Sequence, residues 1–159
     1  MSLYDKKTKG IYYTPKIIVD YILEELLINH DIIKNPEPKI LDLSCGCGNF
    51  LLEAFDILYK LIKTNLKAIN EKYGEHYIDN ISTHIITKCI YGTDLDTNAI
   101  EILKETLVEK KRFYDNQKYD FFININNITC EDGLKKNYNI KFDYIIGNPP
   151  YIGHKILDK

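Results

Sequence analysis

The segment at residues 142–151, FDYIIGNPPY, holds the side chains of this sequence that are best suited to chemistry. Its apolar run predicts a strand buried in a parallel sheet, and Gly147 ends that run. The two prolines that follow have no N–H group to donate, so the strand cannot continue through them. We therefore expect the residues NPPY to lie just beyond the carboxyl end of a strand, where open α/β sheets bind their ligands.

These four residues would suit the activation of a planar amino group. The side-chain oxygen of Asn148 and the carbonyl of Pro149 are candidate acceptors for its two hydrogens, which would localise the nitrogen lone pair. Pro150 fixes the backbone at the Pro-Pro step, and Tyr151 offers a face on which a planar base can stack. A proline-rich turn after a core strand would have the same short pattern, so the upstream residues must decide between the two readings.

A strand, a glycine-rich turn and a helix are predicted over residues 39–61. The strand is KILDL, the turn is SCGCGNF, and an amphipathic helix follows from Leu51. This order is typical of a nucleotide-binding βα unit, in which glycines let the backbone approach the ligand. Asp42 at the end of the strand adds a carboxylate that could accept a hydrogen bond from an ammonium group or a water molecule.

Acidic residues also follow two further predicted strands. The first, at residues 88–93, leads into Asp94, which could bind the hydroxyls of a ribose. Asp94 follows Gly46 by 48 residues, more than the roughly 20 of nicotinamide-binding units, which favours a longer crossover. The second, at residues 121–128, leads into Asp132, which could accept from an adenine amino group or only form an Asp-Gly turn.

Helices are expected between these strands. The first begins with Thr14 as N-cap and Pro15 at the first helical position, and its broad apolar face would include Ile17, Ile18 and Tyr21. Helical pieces over residues 64–87 should break near Gly74 and Asn80. A further helix from Thr97 to about Lys111 would bury Ile100, Leu103 and Leu107. Right-handed crossovers would then bring all four strand ends to one edge of a single parallel sheet.

Composition limits the class of protein. A chain of 159 residues with 45% hydrophobic residues and a net charge of −2 fits one globular domain without a basic stripe for nucleic acid. The four cysteines lack zinc spacing, which favours reduced, buried thiols in a cytoplasmic protein. The sequence contains no apolar run long enough for a membrane span.

Together these motifs closely resemble those of the adenine-N6 DNA methyltransferases of restriction-modification systems, in the gamma-type order that places the cofactor motifs before the catalytic one. GIYYTP at residues 10–15 is similar to the family's N-terminal cofactor motif, and LDLSCGCGNF at residues 41–50 is similar to its glycine-rich motif. GTDLD at residues 92–96 and CEDGL at residues 130–134 match the ribose and adenine motifs, and NPPY matches the catalytic motif. Ser44 replaces the usual proline of the glycine-rich motif, which is a mild departure.

The resemblance implies an α/β fold: an incomplete Rossmann-like methyltransferase fold, with a parallel sheet and flanking helices. It also implies S-adenosylmethionine as cofactor and the N6 amino group of a flipped adenine as substrate. It assigns catalysis to Asn148, Pro149, Pro150 and Tyr151, and it names no metal ligand. The residues that it assigns to the cofactor are Tyr13, Thr14, Pro15, Asp42, Ser44, Cys45, Gly46, Gly48, Asn49, Phe50, Asp94, Leu95, Asp132 and Gly133.

The length of the chain departs from the family's pattern. Such enzymes carry further strands and a target-recognition domain after this motif, whereas this sequence ends at Lys159, eight residues past Tyr151. We expect the N-terminal part of a catalytic domain, with a helical segment at residues 1–35 and a methyltransferase core at residues 36–159 in one structural domain. Double-stranded DNA would bind through parts absent from this chain, and a restriction endonuclease would be a partner or a fused domain.

Three other functions remain open from the sequence. A protein glutamine-N5 methyltransferase and an RNA guanine-N2 methyltransferase would need the same acceptors for a planar nitrogen. GIYYTP directly before the glycine-rich motif favours the DNA enzyme, because those two classes usually carry a separate substrate-binding domain there. The third alternative is a non-catalytic remnant that only binds the cofactor.

Overall fold

The computed structural model describes residues 14–116 and 123–150. Its helices are α1 (Lys16–Leu27), α2 (Asn49–Tyr73), the short α3 (Ile81–His84), a π-helical turn at Ile85–Cys89, and α4 (Thr97–Asp115). Its strands are β1 (Ile40–Asp42), β2 (Ile90–Asp94), β3 (Ile128–Cys130) and β4 (Tyr144–Ile146). They form one parallel sheet in the order β3-β2-β1-β4, so the predicted α/β fold is confirmed.

The helices α2 and α4 share one face of this sheet. The chain moves in the same direction from β1 to β2 and from β2 to β3, and right-handed crossovers in the same direction place their helices on the same side. Ring contact between Tyr59 of α2 and Tyr114 of α4, 4.2 Å between centroids, agrees with this arrangement. The core lies between these helices and the sheet, and α1 packs against α2.

The opposite face of the sheet meets the connection between β3 and β4. Phe142 of that connection makes edge-to-face ring contacts with Tyr91 of β2 and with Tyr138. Ile145 of β4 is 65% exposed. The prediction of a buried strand here is therefore wrong: among the described residues, β4 is an edge strand that pairs with β1 alone. An apolar run shows which side chains favour burial and does not show how many neighbours the strand has.

Several predicted element boundaries are wrong, and those of the third strand and of α2 differ most. The third strand was predicted at residues 121–128, but it covers residues 128–130. Residues 123–127 belong to no strand, and residues 121–122 lie outside the described residues. Alternation of apolar and polar side chains predicted a strand, but pairing with β2 begins only at Ile128. Helix α2 extends to Tyr73, three turns beyond the predicted end at Leu61, and Gly74 terminates it with a φ of +120°.

The start and the buried face of α1 also differ from the prediction. Pro15 is the N-cap residue, with a non-helical ψ of 140° and no capping side chain, so Thr14 does not cap this helix. Val19, Leu23 and Leu27 face the core, whereas Ile17, Ile18 and Tyr21 are exposed. Because α1 has apolar residues around most of its circumference, sequence periodicity could not identify the side that packs against α2.

Asn80 is the N-cap of α3, which agrees with the helix break that was predicted near this residue. Helix α4 buries Ile100, Leu103 and Leu107, as predicted. The four cysteines form no disulfide; Cys45 and Cys89 are buried, Cys47 is partly exposed and Cys130 is exposed. No helix within the described residues is both long enough and apolar enough to cross a lipid bilayer.

Candidate functional site

The order of the strands reverses at β1, so the carboxyl ends of β1 and β4 lie side by side. From β1 the chain crosses to β2 on one side, while β4 lies on the other side of β1. Ligands of open α/β sheets bind at such a reversal of strand order. Asp42 ends β1 and pairs in register with Ile146, the last residue of β4. The predicted catalytic segment therefore starts beside Asp42.

The glycine-rich turn at residues 43–48 is tied to the end of β2. The amide of Cys45 donates to the carbonyl of Thr93 over 2.9 Å, and the amide of Gly46 donates to the Asp94 carboxylate over 2.7 Å. Gly48 has a φ of +91°, and a Cβ there would lie 2.2 Å from Cδ1 of Leu103 in α4. The backbone conformation at this position favours glycine, and Leu103 packs directly against it.

The other residues predicted around this turn differ in exposure; two of them, Asn49 and Phe50, begin α2. Ser44 is partly exposed and Asn49 is exposed, so both are accessible to a ligand. Cys45 and Phe50 are buried among the core residues. Burial raises the pKa of the Cys45 thiol, with a smaller contribution from the Asp42 carboxylate. Cys45 and Phe50 therefore pack into the core beneath the turn, whereas Ser44 and Asn49 are accessible to solvent.

The Asp42 carboxylate is buried and only partly satisfied. It is 2% exposed, and its Oδ1 accepts from the amide of Ser44 over 2.9 Å; no other hydrogen bond to it comes from the described residues. Desolvation raises the pKa of Asp42 to about 6, opposed by the Ser44 amide and reinforced by the negative charge of Asp94. A buried carboxylate with one donor and a second carboxylate nearby would favour a cationic ligand.

The Asp94 carboxylate organises the next strand end. It accepts from the Gly46 amide and, through Oδ1, from the amide of Asp96 over 2.9 Å. Each carboxylate oxygen has a second lone pair, so these bonds leave capacity for a ligand hydroxyl. Leu95 is 73% exposed beside it and can offer an apolar contact to a flat ligand.

Asp132 forms the Asp-Gly turn that the sequence allowed. Its Oδ1 accepts from the amide of Leu134, and its Oδ2 lies 3.2 Å from Nζ of Lys135, which lowers the pKa of Asp132. Gly133 is buried against β2, because a Cβ there would lie 2.4 Å from Oγ1 of Thr93. The turn is thereby held close to the end of β2, with the Asp132 carboxylate partly exposed.

The catalytic candidates follow β4 directly. Asn148 is partly exposed, while Pro149 and Pro150 are exposed. Tyr151 and Tyr13 lie outside the described residues. At the start of α1, Thr14 is partly exposed and Pro15 is exposed. Lys16 of α1 forms an ion pair with Glu53 of α2 over 2.7 Å, which joins the two helices.

Several residues important to this geometry were not identified as site residues from the sequence. Gly147 approaches the Asp42 carboxylate, since a Cβ on it would lie 2.5 Å from Oδ1. Thr93 is buried and donates from Oγ1 to the carbonyl of Leu43 over 3.1 Å. A glycine immediately before a functional motif was an available signal for Gly147, whereas the contacts of Thr93 become visible only in three dimensions. The described residues include no cluster of three side chains that could hold a metal ion.

Comparisons with known proteins agree with this arrangement. The profile of the family N-6 DNA Methylase matches residues 2–158. Over 95% of its length the chain is 27% identical to the type II restriction enzyme and methyltransferase RM.Eco57I of Escherichia coli. It is 29% identical over 97% of its length to the type II methyltransferase M.VspI of Vibrio sp. (strain 343). It is also 32% identical over 93% of its length to the type II methyltransferase M.BstVI of Geobacillus stearothermophilus. The chain spans 18%, 28% and 25% of these three relatives.

Solved structures share the fold at low sequence identity. The ATP-dependent type ISP restriction-modification enzyme LlaBIII bound to DNA matches 90% of this chain, with a TM-score of 0.62, 17% identity and 11% of its own length covered. The type IIL restriction-modification enzyme MmeI in complex with DNA matches 96% of it, with a TM-score of 0.58, 18% identity and 25% of its own length covered. The family profile covers almost the whole sequence, which confirms the predicted family. The chain belongs to the N-6 DNA Methylase family.

Proposed function

We propose that this chain is the cofactor-binding and catalytic-motif part of a DNA methyltransferase that acts on the N6 amino group of adenine. The main support is the meeting of the glycine-rich turn, Asp42 and the segment after β4 at the reversal of strand order. Family membership favours DNA adenine over protein glutamine or RNA guanine as the substrate. The type II relatives support a place in a restriction-modification system, with an endonuclease as partner or fused domain.

The residues at the strand ends fit S-adenosylmethionine, which supplies an electrophilic methyl group on a sulfonium when bound. The buried Asp42 carboxylate has unused acceptor capacity and would receive the ammonium group of a cationic ligand. Asp94 would bind the ribose hydroxyls and Leu95 would contact the adenine ring of the cofactor. The Asp132 turn would complete the adenine side, and Thr14 at the start of α1 would meet the carboxylate.

Catalysis would depend on the residues after Gly147. The side-chain oxygen of Asn148 and the carbonyl of Pro149 would accept the two hydrogens of the substrate amino group, which localises its lone pair for attack. Both prolines hold the backbone at fixed φ, so Pro150 keeps this carbonyl oriented without reorganisation. Tyr151 would stack on the flipped adenine.

Cofactor binding tests the assignment of Asp94. We expect Asp94→Ala to weaken the binding of S-adenosylmethionine by roughly 1.5–3 kcal/mol, because a charge-assisted hydrogen bond to the ribose is lost. Titration calorimetry on the 159-residue chain measures this directly. The matched control is Asp96→Ala, which removes the N-cap side chain of α4. In the wild type, Oδ1 of Asp96 accepts from the amide of Asn98 over 3.0 Å and from the amide of Ala99 over 3.3 Å.

The control should lower the free energy of unfolding by about 1 kcal/mol and leave cofactor affinity unchanged. Equal affinities of the wild type and Asp94→Ala would refute the ribose assignment. Equal losses in both variants would show that Asp94 acts only through the stability of the α4 start.

A further inference from the structure

Gly147 lies against the Asp42 carboxylate where β4 leads into the catalytic segment. A Cβ on Gly147 would lie 2.5 Å from Oδ1, 3.1 Å from Cγ and 3.6 Å from Oδ2 of Asp42. Real Cβ atoms do not approach oxygen this closely, so the carboxylate occupies the space that a side chain at position 147 would need. The Asp42 side chain therefore forms the surface on which the start of the catalytic segment rests.

The surroundings of Asp42 fix its place in this contact, whereas Gly147 is exposed. Asp42 is 2% exposed, and the Ser44 amide fixes its Oδ1 over 2.9 Å. Gly147 has a φ of +147°, a backbone conformation that favours glycine. Ser44 belongs to the glycine-rich turn, which Asp94 holds through the Gly46 amide. A continuous series of contacts thus runs from that turn, through Asp42, to the residue before Asn148.

We propose that Gly147 is a positioning residue that couples the cofactor turn to the segment Asn148–Pro149 through the Asp42 carboxylate. This proposal rests on the proposed function, which gives Asp42 to the cofactor and Asn148 and Pro149 to the substrate amino group. A ligand that engages Asp42 fixes the surface beneath Gly147, and so places the two acceptors. Coupling between binding sites is reciprocal, so a substitution at Gly147 that displaces the Asp42 carboxylate weakens cofactor binding.

The test compares two glycine-to-alanine variants of the 159-residue chain. Gly147→Ala introduces a methyl group against Asp42, whereas Gly74→Ala is the control, with a similar positive φ of +120° and no atom within 4 Å of the added Cβ. We expect Gly147→Ala to reduce affinity for S-adenosylmethionine at least tenfold in calorimetry, at a temperature where circular dichroism shows folded protein. Gly74→Ala should bind as the wild type does. Equal affinities in all three proteins would overturn the proposal.

A second measurement needs no variant and applies even if Gly147→Ala does not fold. During titration of the wild type with S-adenosylmethionine, the amide NMR resonances of Gly147 and Asn148 should shift with the same midpoint as that of Ser44. The resonance of Gly74 should not move. A Ser44 shift without any response at Gly147 and Asn148 would overturn the coupling alone. Absence of binding by the folded wild type would instead overturn the proposed function, and the coupling with it.

Discussion

Asp42 combines a proposed role in the site with a cost to the fold. Its carboxylate is buried beside Asp94, with one amide donor from the described residues, and desolvation raises its pKa to about 6. An unfolded aspartate ionises near pH 4, so the native state binds the extra proton between about pH 4 and 6. The free energy of unfolding therefore falls as the pH rises through this interval, and it stays lower above it.

Replacing Asp42 by asparagine should separate these two effects. We expect Asp42→Asn to raise the free energy of unfolding at pH 8 by on the order of 1–3 kcal/mol, because the buried charge is removed. At pH 4 the gain should vanish. Cofactor binding should weaken at pH 8, since a neutral amide replaces the acceptor for the ammonium group. Urea unfolding at the two pH values and calorimetry provide the measurements.

A matched control is Asp79→Asn, whose side chain is 73% exposed, and its stability should change little at either pH. If Asp42→Asn is destabilised at pH 8, the carboxylate makes a favourable contact in the free protein and the desolvation argument is wrong. In the wild type, affinity for the cofactor should rise as the pH increases through about 6, because the ionised form of Asp42 binds the cation.

At the scale of elements, a buried polar network joins α4 to α3. The Asp115 carboxylate near the end of α4 accepts from Lys111, from Asn80 over 2.9 Å and from Ser82 over 2.7 Å. The side chains of Lys111 and Asp115 are only 11% and 6% exposed. The helix α4 supplies Leu103, which packs against Gly48 of the glycine-rich turn. The network therefore stabilises the helix that supports the site from behind.

We expect Asp115→Ala to lower the free energy of unfolding by roughly 3–5 kcal/mol, because Lys111 would remain buried without its partner. The comparison is Glu71→Ala, which breaks an exposed ion pair with Lys67. The side chain of Lys67 is 91% exposed and that of Glu71 is 66% exposed. That change should stay within about 0.5 kcal/mol. Denaturant unfolding of both variants gives the two values. Similar small losses would show that Lys111 reaches solvent when Asp115 is absent.

At the scale of the whole molecule, cofactor binding and methyl transfer should separate. The chain has a net charge of −2 and spans 18–28% of its type II relatives. Sequence-specific DNA binding needs phosphate contacts from cationic side chains, and flipping a base costs a few kcal/mol that such contacts offset. We expect the 159-residue chain to bind S-adenosylmethionine but to transfer no methyl group to DNA.

The measurement is the incorporation of labelled methyl groups into unmethylated genomic DNA at low salt. Asn148→Ala is the control, because it removes the proposed acceptor and leaves the cofactor residues intact. Incorporation well above this control would mean that these 159 residues already form a working enzyme. A large loss of cofactor binding in Asn148→Ala would assign Asn148 to the cofactor turn and not to the substrate amino group.

The sequence by itself determined the parallel α/β fold, the family and the order of the four strands along the chain. These follow from local chemistry: glycines at positive φ, apolar runs bounded by turns, and acidic residues directly after strands. Asp42, Asp94 and Asp132 all lie at the carboxyl edge as predicted, because parallel strands share that edge. The long crossover from Gly46 to Asp94 was also correctly predicted, since it contains α2, α3 and a π-helical turn.

Only the tertiary structure decided which surfaces meet. The choice of Val19, Leu23 and Leu27 as the buried side of α1 depends on α2, and the exposure of Ile145 depends on the position of β4 at the sheet edge. The contact of Gly147 with Asp42 joins residues that are far apart in the chain. Periodicity and turn chemistry describe each segment separately, whereas the contact of Gly147 with Asp42 arises from the register between β1 and β4.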